Sequence, residues 1–526
     1  MRGDKSRNSR SQYRGVERSL TLSSAQESAN SSANCDVLRK QKISHWAPYL
    51  VVWLAFAVRG FRLATQSLWF DEILTAFRAE LTLPALFAEL MQVRNHVPLY
   101  FVAMRGWWLL LEGDGAFLLR FPSGLAGTLA VAVTYRLGGL VGGRWTGILA
   151  ALLLSLAPLH VWHSQDARMY ALATLLFVTA VYFLLRAWQE DRWPLWAGYA
   201  IFTALTCYTH ILSLAMFVGL AIFCLLQIRR QPRRFWHWCA ATGGAAVLFL
   251  PWLAVIAGAG GMKALFWIPR PRPVDLVLTL YVFTVGATAG WRNALTYLPL
   301  VISLGVLAVL RWRRERLSSW RRWALGVLAG DIVFTLLFIF LIAQLRPVYV
   351  TRYFLPLLPL WLVLVACGLQ RLAPRRAGVL LVLLLAFDLL SLYNMYFVPR
   401  YQREDWRSVA GYIETHARPG DALASYNIIP FRYYRPDGLE AQEVLAYETV
   451  AQFARRMADI TAGHRRLWLV IPLPGLEAHG FAEARKVTAR RWVDRNPQKL
   501  WLDERYRLVD EQRFPAMCLL LYELEK

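Results

Sequence analysis

From residue 47 to residue 397 one pattern keeps returning: an apolar run of roughly 20 residues, then a short link that often carries several arginines. Such runs satisfy their backbone in lipid only as helices that cross it, because hydrocarbon offers no partner to a free N–H or C=O. The expected fold class is therefore a polytopic α-helical membrane protein. Candidate spans are 47 to 64, 116 to 141, 145 to 162, 168 to 187, 194 to 209, 211 to 228, 236 to 257, 294 to 310, 323 to 344, 353 to 371 and 377 to 397, about 11 transmembrane helices. Two further segments, 97 to 111 and 276 to 291, are ambiguous by length and composition; the distribution of charge over the links decides them, and both are expected to lie in the interface without crossing. With that parity every strongly basic link falls on one side. These links are "RAWQEDRW", "RRQPRRF", "RWRRERLSSWRR" and "RLAPRR".

Composition agrees with this: 57% of the 526 residues are hydrophobic and only 18% charged. The formal charge of +24 would elsewhere suggest a nucleic-acid partner. Here the arginines are dispersed between apolar runs, which is the positive-inside pattern, and no nucleic acid is expected. Six cysteines lie scattered with no CxxC and no histidine at metal-ligand spacing, so neither zinc nor a disulfide framework is inferred.

Three regions follow. Residues 1–44, rich in Ser, Asn and Arg, read as a disordered cytoplasmic tail ahead of an uncleaved signal anchor. Residues 45–400 form the transmembrane domain. Residues 401–526, where apolar runs shorten, read as a small extracytoplasmic α/β domain with a helix in "EDWRSVAGYIETHA" and strands in "ALASYNI", "RLWLVIP" and "MCLLLYELE".

Chemistry-bearing residues collect in the links of the less basic, outer side. In "SLWFDEILTAF" two adjacent acids, Asp71 and Glu72, sit at the start of an interfacial helix. Asp71 has two readings, an N-cap or a general base. Successive residues differ by about 100° around a helix, so the two acids would serve different partners. In "WHSQDARMYALATLL", Ser164 or Asp166 could cap the fourth span, but Arg168 in its first turn opposes the helix dipole and calls for a carboxylate or an anionic ligand. Asp166 and Tyr170 are four apart and would share a helix face. His96, His210, Arg352 and Tyr353 complete the outer set, with Arg346 close to Arg352 in sequence. For the arginines, snorkelling to headgroups competes with a phosphate contact. Asp331 and Asp388 fall inside spans and raise a transporter reading.

"SLWFDEILTAF", "HVPLYFVAMRGWW", "LRFPSGLAGTLAVAVTYRLG", "APLHVWHSQDARMYAL", "CYTH", "RYFLPLLPL" and "REDWRSVAGYIETHARPGD" together resemble the bacterial members of the dolichyl-phosphate-mannose protein mannosyltransferase family. These are GT-C fold glycosyltransferases related to the lipid A aminoarabinose transferase. The resemblance covers about residues 46 to 430. It implies transfer of a sugar from a polyprenyl-phosphate donor to an acceptor hydroxyl of a lipid, glycan or protein on the outer face of a bacterial inner membrane. It matches the family's first-loop acidic pair to Asp71 and Glu72, with Asp71 as base, and its second-loop acid and arginine to Asp166 and Arg168. Asp166 departs from the glutamate often found there. Asp71, Glu72 and Asp166 are thus the catalytic candidates. Arg168, Tyr170, His96, His210, Arg352 and Tyr353 are the substrate-binding ones. Two carboxylates and a phosphate could hold Mg²⁺, but no dedicated ligand set is evident, so no cofactor is expected. The competing reading is a transporter or flippase for a polyprenyl-linked glycan.

Overall fold

Helix ends follow the Pro, Gly and Arg punctuation of the apolar runs. The structure, a computed structural model, describes residues 45–93, 96–111, 113, 115–258, 268–289, 294–312, 317–434, 439–445, 448–473 and 493–524. The tail expected over 1–44 lies outside the described residues. Residues 45–51 are helical. From Val52 the chain continues as α1 (residues 52 to 60), followed by three short helices, α2 (Phe70–Glu80), α3 (Leu83–Val93) and α4 (Pro98–Leu111). Then come α5 (Ala116–Gly142), α6 (Arg144–Leu156), α7 (Pro158–Ser164), α8 (Tyr170–Glu190), α9 (Trp193–Thr209), α10 (Ser213–Leu225) and α11 (Pro232–Ala257). The helical part closes with α12 (Pro273–Val285), α13 (Leu298–Trp312), α14 (Ser319–Leu345), a 3-10 segment Thr351–Leu357, α15 (Leu358–Leu369) and α16 (Pro374–Phe397).

Among the described residues six helices are long and apolar enough to cross a bilayer, or seven if α6 and α7 count as one span bent by 62°. The chain is a multi-pass membrane protein. The expectation of about 11 spans counts apolar windows, and windows are longer than helices. The window 145 to 162 is broken at Pro158, which lacks an N–H and stands first in α7. The window 211 to 228 contains only the 13-residue α10, and the window 294 to 310 begins as a 3-10 turn. The segment 97 to 111 is the 14-residue α4, as short as expected of a helix that does not cross.

Small residues let spans approach closely. A Cβ on Gly138 of α5 would lie 2.9 Å from Cα of Gly147 in α6, so the two backbones touch where only glycine permits it. At the α6–α7 break, Arg59 of α1 is 1% exposed. It donates to the carbonyls of Leu154 (3.2 Å), Ser155 (3.2 Å) and Ala55 (3.0 Å), and contacts Ser164 Oγ and His160 Nδ1. Carbonyls that Pro158 leaves without helical donors thus receive a cation at a helix C-terminus.

Beyond Arg400 the chain forms α17 (Trp406–His416), β1 (Asp421–Ser425), α18 (Ile429–Tyr434), β2 (Ala441–Glu443), α19 (Val450–Thr461), β3 (Arg466–Pro472), α20 (Pro497–Asp503), β4 (Arg507–Phe514) and β5 (Met517–Glu523). The sheet order is β2-β1-β3-β5-β4. β1 runs parallel to β2 and β3, while β5 is antiparallel to β3 and β4. The central strands are apolar on both faces because both are covered. Phe453, Met457 and Ile460 of α19 pack on one side, and Trp406, Val409 and Ile413 of α17 on the other.

Candidate active site

The site begins at the first turn of α2. Trp69 is its N-cap, and Glu72 reaches back to accept the Trp69 N–H at 3.3 Å. Glu72 is wholly buried. Arg120, in the second turn of α5, grips it with two bonds, Nε to Oε1 at 2.7 Å and Nη2 to Oε2 at 2.6 Å. The Ala167 N–H donates to Oε1 at 2.8 Å, and Arg403 Nη1 stands 3.7 Å away. Arg120 also donates to the carbonyls of Leu63, Gln66 and Ser67 at 2.8 to 3.0 Å. This one fork-to-fork pair therefore ties α2, α5, the segment before α2 and the turn before α8 together. Such a pair, once desolvated, is far costlier to break than to keep.

One residue earlier the side chain points elsewhere. The Asp71 carboxylate is 20% exposed, with Arg168 Nη2 at 3.7 Å and Arg352 Nη2 at 4.0 Å from its Oδ2. Arg168 also donates to the Asp71 carbonyl at 3.3 Å. Both distances to the carboxylate exceed hydrogen-bond length, so the pair is attracted without being closed.

Asp166 lies in the turn between α7 and α8 and is wholly buried. Trp69 Nε1 donates to its Oδ1 at 2.9 Å, and His163 Nδ1 is 3.4 Å from Oδ2. Burial would raise its pKa. The Arg403 charge and the His163 and Trp69 hydrogen bonds outweigh that and hold the carboxyl well below its usual range.

Arg352, at the 3-10 segment before α15, sits over the rings of Trp69 (5.7 Å), Tyr170 (5.8 Å) and Tyr353 (5.8 Å). His210, the C-cap of α9, packs 5.2 Å from the Tyr353 ring and 6.0 Å from the Tyr170 ring. Burial, reinforced by the Arg168 and Arg352 charges, pushes His210 down to about 4. His96, in the turn before α4, is lowered well below its usual value by burial and by Arg168, Arg78 and His210. Both imidazoles are therefore neutral at pH 7. His96 Nδ1, His210 Nδ1 and Arg168 Nε are buried atoms without a hydrogen-bond partner among the described residues.

The structure thus gathers Asp71, Glu72, Asp166, Arg168, Tyr170, His210, Arg352 and Tyr353 at one end of the helical part, with His96 beside Arg168 and His210. Asp331 and Asp388 are elsewhere: Asp331 on α14 accepts from Thr335 at 3.4 Å and lies against Gly219, and Asp388 is on α16. Sequence reading did not single out Arg120, Arg403, Glu404, Trp69 or His163. Arg120 was legible in principle as a cation near the start of a long apolar run. Among the described residues no group of three or more His, Cys, Asp or Glu is placed to hold a metal ion.

The fold has counterparts among known proteins. Residues 95–254 match the family model described as dolichyl-phosphate-mannose-protein mannosyltransferase. No curated protein matches the chain. The solved structure of ArnT from Cupriavidus metallidurans, apo and bound to undecaprenyl phosphate, aligns over 90% of this chain and 97% of its own, at 13% identity and TM-score 0.57. The oligosaccharyltransferase AglB from Archaeoglobus fulgidus, in complex with an inhibitory peptide and a dolichol-phosphate, aligns over 82% of this chain and 69% of its own, at 10% identity and TM-score 0.53. The chain therefore has the fold of the GT-C membrane glycosyltransferases and carries, across residues 95–254, the pattern of the mannosyltransferase family it resembles.

Proposed function

We propose that this protein is a membrane glycosyltransferase that moves a sugar from a polyprenyl-phosphate donor to an acceptor hydroxyl on the extracytoplasmic face. The observation that carries this reading is Asp71: a partly exposed carboxylate with two guanidinium groups at 3.7 and 4.0 Å, neither bonded to it. Undecaprenyl phosphate and dolichol-phosphate, named with the ArnT and AglB structures, support the donor class. The arginine-rich links on the opposite side support the sidedness.

In this reading Asp71 takes the proton of the acceptor hydroxyl as its oxygen bonds to the anomeric carbon. The bond from that carbon to the phosphate oxygen breaks, and the phosphate leaves with the electron pair. Arg168 and Arg352 stabilise the departing anion, Arg352 with its charge held over three aromatic faces. A single displacement from the face opposite the phosphate inverts the anomeric carbon through an oxocarbenium-like state. The neutral His96 and His210 and the Tyr170 and Tyr353 rings offer hydrogen bonds and apolar contact to the sugar. Glu72 and Asp166, wholly buried, hold the frame in which Asp71 points.

Asp71→Asn in the full chain, assayed in membranes supplied with a polyprenyl-phosphate sugar, tests the reading. Lost transfer with normal insertion is expected, and retained transfer refutes Asp71 as base. Mass spectrometry of envelope glycolipids and glycoproteins with and without the protein identifies sugar and acceptor.

A further inference from the structure

At the end of the helical bundle opposite Asp71, arginines from three places in the chain converge on one cavity. α5 and α8 are each long and apolar enough to cross a bilayer, spanning about 40 and 30 Å at 1.5 Å per residue. Each begins beside the active site, α5 with Arg120 and α8 with Tyr170, so each ends at the other face. There a cavity of about 390 Å³ opens between them and the start of α6, within the size range of small-ligand pockets. Arg136 of α5, Arg144 at the first position of α6 and Arg186 of α8 line it, together with Tyr135, Tyr182 and Gln189.

The lining holds three guanidinium groups and one carboxylate, Glu190. Arg186 Nε already donates to that carboxylate at 2.6 Å, and Arg192 Nη1 stands 3.8 Å from its other oxygen. The lining thus keeps an excess of two positive charges. Arg186 Nη1 donates to the Tyr182 hydroxyl at 3.0 Å, which leaves the hydroxyl proton for another acceptor. Like charges around one cavity repel unless an anion stands between them, and the flat guanidinium fork suits the oxygens of a phosphate. Arginines that only mark the basic side follow one another along a link, as in "RRQPRRF" and "RLAPRR". These three are brought together by the packing of α5, α6 and α8. Trp145 and Trp193, the second residue of α6 and the first of α9, are exposed beside Arg144 and Arg192. Exposed tryptophans at the ends of spans mark the level of the lipid headgroups, so the cavity opens where phospholipid phosphates lie.

We propose that this cavity is an anionic-lipid site, in which Arg136, Arg144 and Arg186 hold the phosphate of a phospholipid headgroup from the leaflet opposite the active site. The Tyr135 and Tyr182 hydroxyls and the Gln189 amide offer further donors to the headgroup. The site depends neither on Asp71 nor on which sugar is moved. A lipid bound there joins the ends of α5 and α8, and a ligand that binds only the folded chain stabilises it.

The test uses the full-length protein in detergent, supplied with phosphatidylglycerol, phosphatidylcholine or inorganic phosphate, with bound lipid counted by native mass spectrometry. About tenfold tighter retention of phosphatidylglycerol than of phosphatidylcholine is expected, with a higher thermal midpoint in its presence alone. Arg136→Gln/Arg144→Gln is expected to lose that preference. Arg375→Gln/Arg376→Gln, at exposed arginines in the first turn of α16, is expected to keep it. Equal retention of the two lipids by the wild type would overturn the proposal. So would equal loss in the two double variants, which would reduce the site to diffuse surface charge. Displacement of the lipid by inorganic phosphate, but not by chloride of equal ionic strength, would assign the cavity to a soluble phosphate and overturn it as well. Should Arg136→Gln/Arg144→Gln not fold, Arg136→Gln alone is expected to weaken retention about fivefold, and wild-type retention in it would overturn the proposal.

Discussion

Glu72 and Asp71 are consecutive residues, yet the regions around them are built on opposite terms. Around Glu72, both carboxylate oxygens are bonded, Arg120 distributes donors over three carbonyls, and Asp166 is fastened by Trp69 and His163. Around Asp71, the guanidinium groups stop short of bonding distance, and Arg168 Nε, His96 Nδ1 and His210 Nδ1 have no partner among the described residues. Leaving a buried donor unpaired costs roughly 1 to 3 kcal/mol, so a ligand bound beside Asp71 would relieve a cost that the frame around Glu72 does not carry. The first region is a frame and, on the function proposed above, the second is a receptor.

This contrast can be broken by experiment. Its largest expected effect is on the receptor side: Asp71→Asn lowers transfer by about 10²- to 10⁴-fold, the usual contribution of a general base, with the thermal midpoint unchanged. A variant that unfolds instead would move Asp71 into the frame. Next, Glu72→Gln leaves Arg120 buried without its counter-charge and costs about 3 to 5 kcal/mol of stability, read as loss of folded protein in a thermal or detergent-denaturation assay. A Glu72→Gln protein of normal stability would erase the distinction. Arg352→Lys keeps a charge but loses the flat guanidinium face over Trp69, Tyr170 and Tyr353. About a tenfold drop in kcat without a change in folding is expected from turnover at saturating donor.

The smallest effect concerns pH. Burial, with a contribution from the Asp71 charge, pushes the Glu404 carboxyl up from 4.5 to about 7, against the Trp406 hydrogen bond. The folded chain then holds a proton between these values that the unfolded chain releases, so this group's contribution to stability falls as pH rises from 4.5 to 7. Glu404→Gln does not titrate. Its thermal midpoint relative to the wild type should therefore rise between about pH 5 and pH 8, and a constant difference would contradict the assignment.

Much of this was legible in the chain itself. Apolar runs located the helices, and the residues at helix ends pointed to the cluster that forms around Asp71, because charges beside a long apolar run are expensive unless they are used. The strands of "RLWLVIP" and "MCLLLYELE" were visible as short apolar runs, but their order was not, since pairing β3 with β1 on one side and β5 on the other depends on contacts far apart in sequence. The frame was the harder part. Arg120 reads as one more cation at a helix end until its partner Glu72, 48 residues away, is placed against it. Arg403 belongs to a stretch whose local signal is only the start of a helix. Its role comes from where the chain returns after the last span, which no window of sequence reports.

The break between α6 and α7 has one more consequence. A straight rod across the bilayer would show lipid only side chains, its amides all spent on themselves. Here the chain folds over at Pro158, hands its loose carbonyls to Arg59, and after the seven residues of α7 opens again into a short stretch of main chain, residues 165 to 168, that answers other groups. Glu72, Arg403 and the Asp71 carbonyl all draw on it or its side chains. The two ends of one short helix thus turn what would have been a wall into a workbench.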